Sequence, residues 1–316
     1  MRGLELARAY YEQFGRPMLD AQFPELLPHI AVGLFGSGSE CFGFDDDISR
    51  DHDFEPGFML LLPGEDVVSR RQAFLLERAY GKLPREFMEL KRSLMQPVGG
   101  PRHGVMRTAD FFSDKVGSPD GVLTVGQWLS TPEDVLAEAV NGAVFFDGSG
   151  EATAIRQRLS NWPEDIRKKK LAGCLLLMAQ AGQYNYPRCL AHGEKGAAQL
   201  AVVDFVRHCI GAVFLLNGAY QPSYKWAFRA MRALPRLSLL AELMEYLLTT
   251  DNDGDMAAEK GRVIESVAAD VIAELRRQGL TRADCGDLEK HAYSVNDGIE
   301  DAQVRNLHIL YAAREA

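Results

Sequence analysis

The six residues Ile30-Ala31-Val32-Gly33-Leu34-Phe35 are an apolar run that stops abruptly at Gly36-Ser37-Gly38-Ser39. A run that short and that greasy reads as a buried strand ending in a small-residue turn. A second run, Phe58-Met59-Leu60-Leu61-Leu62, enters after Pro56-Gly57 and leaves at Pro63-Gly64, so it reads as a neighbouring strand. Between them lies an unusual concentration of acids. Residues 36–54, GSGSECFGFDDDISRDHDF, hold six carboxylates and a single Arg.

Flanking patterns supply helices for this sheet. Leu4, Ala7, Tyr11 and Phe14 recur at helical spacing, and so do Val67, Val68, Phe74 and Leu75 within 65–80. A further strand is expected near 103–111, a helix from Thr131 with acids in its first turn, and an apolar run Val144-Phe145-Phe146 closed by Asp147. Beyond about residue 151 only helical periodicities remain, over 163–182, 193–219, 236–248 and 256–278. The expectation is an α+β chain: a small mixed-sheet domain with flanking helices over 1–150, followed by an all-α domain over 151–316.

Charge is distributed unevenly. Residues 1–150 carry 14 Lys and Arg against 23 Asp and Glu, whereas 151–316 carry 21 of each, so the net charge of −9 belongs to the first half. An acidic half is a poor partner for a phosphate backbone, which argues against a nucleic-acid substrate. The five cysteines are scattered and form no C-x-x-C pair, as expected of reduced thiols in the cytoplasm. The N-terminus lacks the apolar block of a signal peptide. The greasiest stretch, 201–220, carries Asp204, Arg207 and His208, so it reads as a buried helix and not a membrane span.

The turn and the acids carry the chemistry. Glycines let backbone N–H groups approach a phosphate closely. On a strand, Asp51 and Asp53 would point to one side and His52 to the other. Two adjacent carboxylates repel, and a hard divalent cation such as Mg²⁺ relieves them, typically together with substrate phosphates. Asp45, Asp46 and Asp47 read instead as turn and cap residues binding local N–H groups.

Gly36-Ser37, thirteen intervening residues, then Asp51-His52-Asp53 resembles the signature of the DNA polymerase β-like nucleotidyltransferase superfamily. The order of a strand, a Gly-Ser turn, a D-x-D strand and then a helical domain is also similar to the antibiotic and minimal nucleotidyltransferases of bacteria. The resemblance implies that Ser37 contacts the triphosphate of a bound nucleotide and that Asp51 and Asp53 hold Mg²⁺. Gly38-Ser39, with eleven intervening residues, fits equally well, so the choice of serine stays open. The superfamily commonly adds a third carboxylate as base or metal ligand, for which Asp110 and Asp147 are the candidates.

In the helical half, Arg188 beside Tyr184 and Tyr186, and Lys225 beside Tyr224 and Trp226, are candidates to neutralise a triphosphate, because an acid-rich site supplies no cation of its own. Asp251-Asn252-Asp253-Gly254-Asp255 fails as a calcium loop, with Gly fourth instead of sixth and Arg262 in the twelfth place. The expected activity is transfer of NMP, AMP from ATP first, to a hydroxyl of a small molecule or protein. The competing expectation is a nucleotide-binding regulatory or toxin–antitoxin-like interaction module with a degraded active site.

Overall fold

The computed structural model describes residues 1–48, 55–92 and 102–313. The chain is α+β and divides into two compact units, one of residues 1–124 and 135–161, the other of 125–134 and 162 onward. The break after the sheet therefore falls at Asn161 and not at 150, and the short stretch 125–134 goes to the helical unit.

The first unit opens with α1 (Gly3–Tyr10), a π-helical turn (Tyr11–Gly15), α2 (Arg16–Gln22) and a 3₁₀ turn (Pro24–His29). Then come β1 (Ala31–Leu34), the short α3 (Ser39–Phe42), β2 (Met59–Leu62), α4 (Arg70–Gly81) and a small hairpin of β3 (Glu86–Phe87) and β4 (Leu90–Lys91). After these come β5 (Gly104–Arg107) and α5 (Thr108–Val116), then α6 (Val125–Ser130) and the first two residues of α7 (Glu133–Val140), which belong to the second unit, and, back in the first, β6 (Ala143–Asp147) and α8 (Glu151–Ser160). The main sheet has the order β5-β2-β1-β6. Strand β1 runs antiparallel to both β2 and β6, and β5 runs parallel to β2.

Both central strands are buried at every residue, which explains their unbroken apolar runs. Val32 pairs with Leu60 on one face, where Tyr10, Leu19, Phe58 and Leu62 join them. Ala31 pairs with Leu61 on the other, against Met59, Phe35 and Ala152. Each buried Leu or Val contributes about 1.5–3 kcal/mol, so a one-residue slip that exchanged the faces would be strongly opposed. The strand expected near 103–111 ends at Arg107, because β2 stops at Pro63 and offers no further ladder. Thr108 Oγ1 instead donates to Leu62 O at 3.1 Å, and Arg107 Nη1 to Pro63 O and Val68 O.

The second unit is helical throughout: α9 (Glu164–Met178), a π-helical segment (Ala179–Asn185), α10 (Tyr186–Ala191), α11 (Lys195–Asn217), α12 (Tyr224–Arg232), α13 (Leu240–Thr249), α14 (Gly254–Arg277), α15 (Leu288–Asp297) and α16 (Ala302–Asn306). Among the described residues α11 is the helix long and apolar enough to cross a membrane, yet most of that apolar stretch is buried in this unit's core. One buried lysine here has all three of its donors used. Lys169 Nζ donates to Asn296 Oδ1, Arg305 O and Leu307 O, one acceptor for each of its three hydrogens.

His208 on α11 is buried with Nδ1 lacking a hydrogen-bond partner, and burial pushes its pKa down to about 4. Asp204 opposes that shift and Arg207 adds to it. Between pH 6.5 and 4 the unfolded chain therefore takes up a proton that the folded chain refuses, and stability falls as pH drops through this window. Burial raises the carboxyls of Glu40 and Glu133, which titrate with the opposite sign, so a variant must isolate the histidine. Stability of His208→Leu relative to wild type, from urea melts, should improve by on the order of 3 kcal/mol on going from pH 7 to pH 4.

Candidate functional site

Strand β1 leaves the sheet through Gly36 (φ +109°) and Gly38 (φ +145°), both in backbone territory that side chains resist. At Gly38 a methyl would also lie 2.5 Å from Glu40 Oε1. Ser37 sits between the two glycines, and Ser39 opens α3. The turn is held from outside by Asn141. Its Oδ1 accepts from Gly36 N and its Nδ2 donates to Gly36 O, each at 2.8 Å, so one amide does the work of a strand neighbour.

Asn141 is itself fixed. It follows the last turn of α7, where Arg156 of α8 donates to Val140 O at 3.0 Å and Asn141 O at 2.6 Å. The same guanidinium lies 4.6 Å from the centre of the Phe35 ring, and its burial lowers its pKa to about 10. A buried cation, two backbone carbonyls and an amide therefore link α8 to the exit of β1.

The sheet register places other groups at this edge. Gly33 pairs with Met59, and Met59 with Gly104, so the segments before β2 and β5 leave the sheet at the same end as the turn. They bring Glu55, Arg102 and His103. His103 Nδ1 stands 3.4 Å from Glu55 Oε1, with both side chains largely shielded from water. Glu40 is buried beneath Gly38. Burial raises its pKa, while its own backbone N–H, Arg102 and His103 pull the other way.

Not every expected site residue arrives here. Asp51 and Asp53 lie outside the described residues. Asp110 is exposed in the first turn of α5, beyond the far end of β5. Asp147 pairs with Ala31 at the opposite end of β1 and β6, and its carboxylate caps the start of α8, accepting from Gly150 N, Thr153 N and Thr153 Oγ1. Neither candidate third acid therefore stands at the turn. Asp46 accepts from Ile48 N, in keeping with turn chemistry, whereas Asp45 accepts from Gly3 N at the start of α1 and so ties the turn to the first helix instead. Among the described residues no group of three or more His, Cys, Asp or Glu could hold a metal ion.

Arg188 and Lys225 belong to the helical unit, on α10 and α12, the helices that precede and follow α11. The Arg188 guanidinium lies 5.1 Å from the Tyr184 ring centre, and Lys225 is exposed. Sequence reasoning missed Asn141, Arg156, Glu55 and His103. Asn141-Gly142, a turn pair ahead of an apolar run, was the available signal for the first, and Glu55, two residues beyond Asp53, for the third. Arg156 and His103 carry no pattern of their own.

The chain matches one family model, a domain of unknown function (DUF4037), over residues 128–227, which leaves the turn outside the match. No curated protein matches it. Among solved structures it is distantly similar to a nucleotidyltransferase-like protein from Exiguobacterium sibiricum 255-15, with 11% identity, TM-score 0.39, and coverage of 91% of this chain and 81% of that one. A likeness of that size carries no conclusion about mechanism.

Asn141→Ala removes both hydrogen bonds to Gly36 and strands a buried N–H and C=O. It should cost about 1–3 kcal/mol in a urea melt, whereas Glu40→Gln, which keeps the shape of a carboxyl already biased toward its neutral form, should move the midpoint much less.

Proposed function

We propose that the chain is a nucleotidyltransferase that moves an NMP, AMP from ATP in the first instance, onto a hydroxyl of a small molecule or protein. The observation that carries this reading is the turn. A buried strand ends in two glycines at positive φ, clamped by Asn141, at the sheet edge from which the chain reaches back to Asp51-His52-Asp53. Backbone N–H groups at such a turn suit phosphate oxygens, and transfer to a hydroxyl asks mainly for position and charge. Asp51 and Asp53 are the residues we assign to Mg²⁺, which would supply charge neutralisation at the phosphates. Ser37 and Ser39 remain the two hydroxyls assigned to the triphosphate.

One observation favours a second reading. Where β5 enters the sheet beside β2, the side chains are Arg102 and His103 and not a third carboxylate. A cation there, Arg102, suits a module that holds a nucleotide without transferring it.

Thermal denaturation with each NTP, with and without Mg²⁺, tests nucleotide binding. Wild type should gain about 2.7 kcal/mol of stability at a hundredfold excess of NTP over Kd, and Asp53→Asn should lose most of that gain. If no NTP raises the wild-type midpoint, or if Asp53→Asn responds identically, the reading fails. Labelled ATP incubated with a cell extract then separates the two readings, since a binder labels nothing.

A further inference from the structure

His103 is packed into the site edge more tightly than a surface histidine needs to be. It immediately precedes β5, whose first residue donates from its backbone N–H to Phe58 O at 2.9 Å. This hydrogen bond locks the segment against the entry to β2. The imidazole lies over Gly57, where a methyl would come within 2.6 Å of His103 Cγ. A glycine at 57 is thus what admits the ring. On the other side Glu55 offers Oε1 to Nδ1 at 3.4 Å. Among the described residues, Arg102, Glu40 and Asp45 are further charged groups at this corner.

We propose that His103 is the general base of the transfer reaction, with Glu55 as the positioning residue that orients its ring. The proposal rests on the nucleotidyl-transfer reading and assigns the function for which a third carboxylate was sought. A carboxylate facing Nδ1 favours the tautomer with its proton on that nitrogen, which leaves Nε2 as the basic atom. In the step, Nε2 takes the proton of the acceptor hydroxyl while the oxygen forms a bond to the α-phosphorus. The bond from that phosphorus to the bridging oxygen breaks, and pyrophosphate leaves with its electron pair. The imidazolium, stabilised by the Glu55 carboxylate, then releases its proton to solvent. The acceptor class this chemistry selects is an alcohol, because one base can take a hydroxyl proton as its oxygen attacks, whereas a protonated amine would first have to lose a proton before it could attack.

Three measurements on the full chain test this. The first is pyrophosphate release from ATP and Mg²⁺, with the small-molecule fraction of a cell extract as acceptor source, as a function of pH. The second is the ATP-induced rise in thermal midpoint, and the third is the ring-nitrogen NMR shifts of His103. His103→Asn should bind ATP as wild type does, release pyrophosphate at least about 100-fold more slowly, and lose the acid limb of the pH–rate profile. Glu55→Gln should slow release about tenfold and still bind ATP. The wild-type ring should carry its proton on Nδ1, and Glu55→Ala should show a mixture of tautomers. A His103→Asn protein with the wild-type rate and pH profile overturns the base while leaving transfer standing. A proton on Nε2 in wild type overturns the dyad whatever the activity. A wild type that no NTP stabilises and that releases no pyrophosphate overturns the parent reading, and this proposal with it.

Discussion

The amide of Asn141 closing on both backbone polar groups of Gly36 is the contact on which the site depends. A strand that ends in positive-φ glycines has given up its ladder and has no side chain to pack, so nothing within the turn itself fixes its path. Asn141 supplies the missing ladder partner, and Arg156 fixes Asn141 through the carbonyls at the end of α7. The turn is therefore tied by hydrogen bonds to the end of α7, and through it to α8. Preorganised backbone donors cost nothing to reorganise when a ligand arrives, and this is the physical advantage of building a phosphate site from main chain.

Around that turn the electrostatics are mixed. A buried carboxyl under Gly38 would repel a triphosphate if it were ionised, but burial favours its neutral form. Arg102 brings positive charge to the same corner, and in sequence Asp51 and Asp53 shortly precede Glu55. The proposed metal–phosphate ligand would bring its own charges to this corner, and the burial that raises the Glu40 pKa lessens the repulsion it would meet there.

Much of the fold was legible because its physics is local. The runs at 30–35 and 58–62 could only be buried strands, and Met59 to Leu62 and Ala31 to Leu34 are buried on both faces as that demands. In the helical half the longer helices were readable from periodicity, so α9, α11, α13 and α14 lie close to where the spacing placed them, whereas the shorter α10, α12, α15 and α16 were not placed. The strand expected near 103–111 was overextended, since what ends β5 is the loss of its partner at Pro63, a fact about another segment. The glycines of the turn were visible in sequence, but their clamp lies 105 residues away, and no local pattern announces it. Asp110 and Asp147 looked like site acids because each borders a strand. The register puts both at the far end of the sheet, and only pairing could reveal which end a strand terminus occupies.

The most direct test of the account is a crystal structure of the chain with a non-hydrolysable ATP analogue and Mg²⁺. Triphosphate density should lie against the backbone N–H groups of Ser37 to Ser39, with Asn141 still closed on Gly36, whose own N–H it holds. Triphosphate bound elsewhere on the chain, with that turn bare, would contradict it.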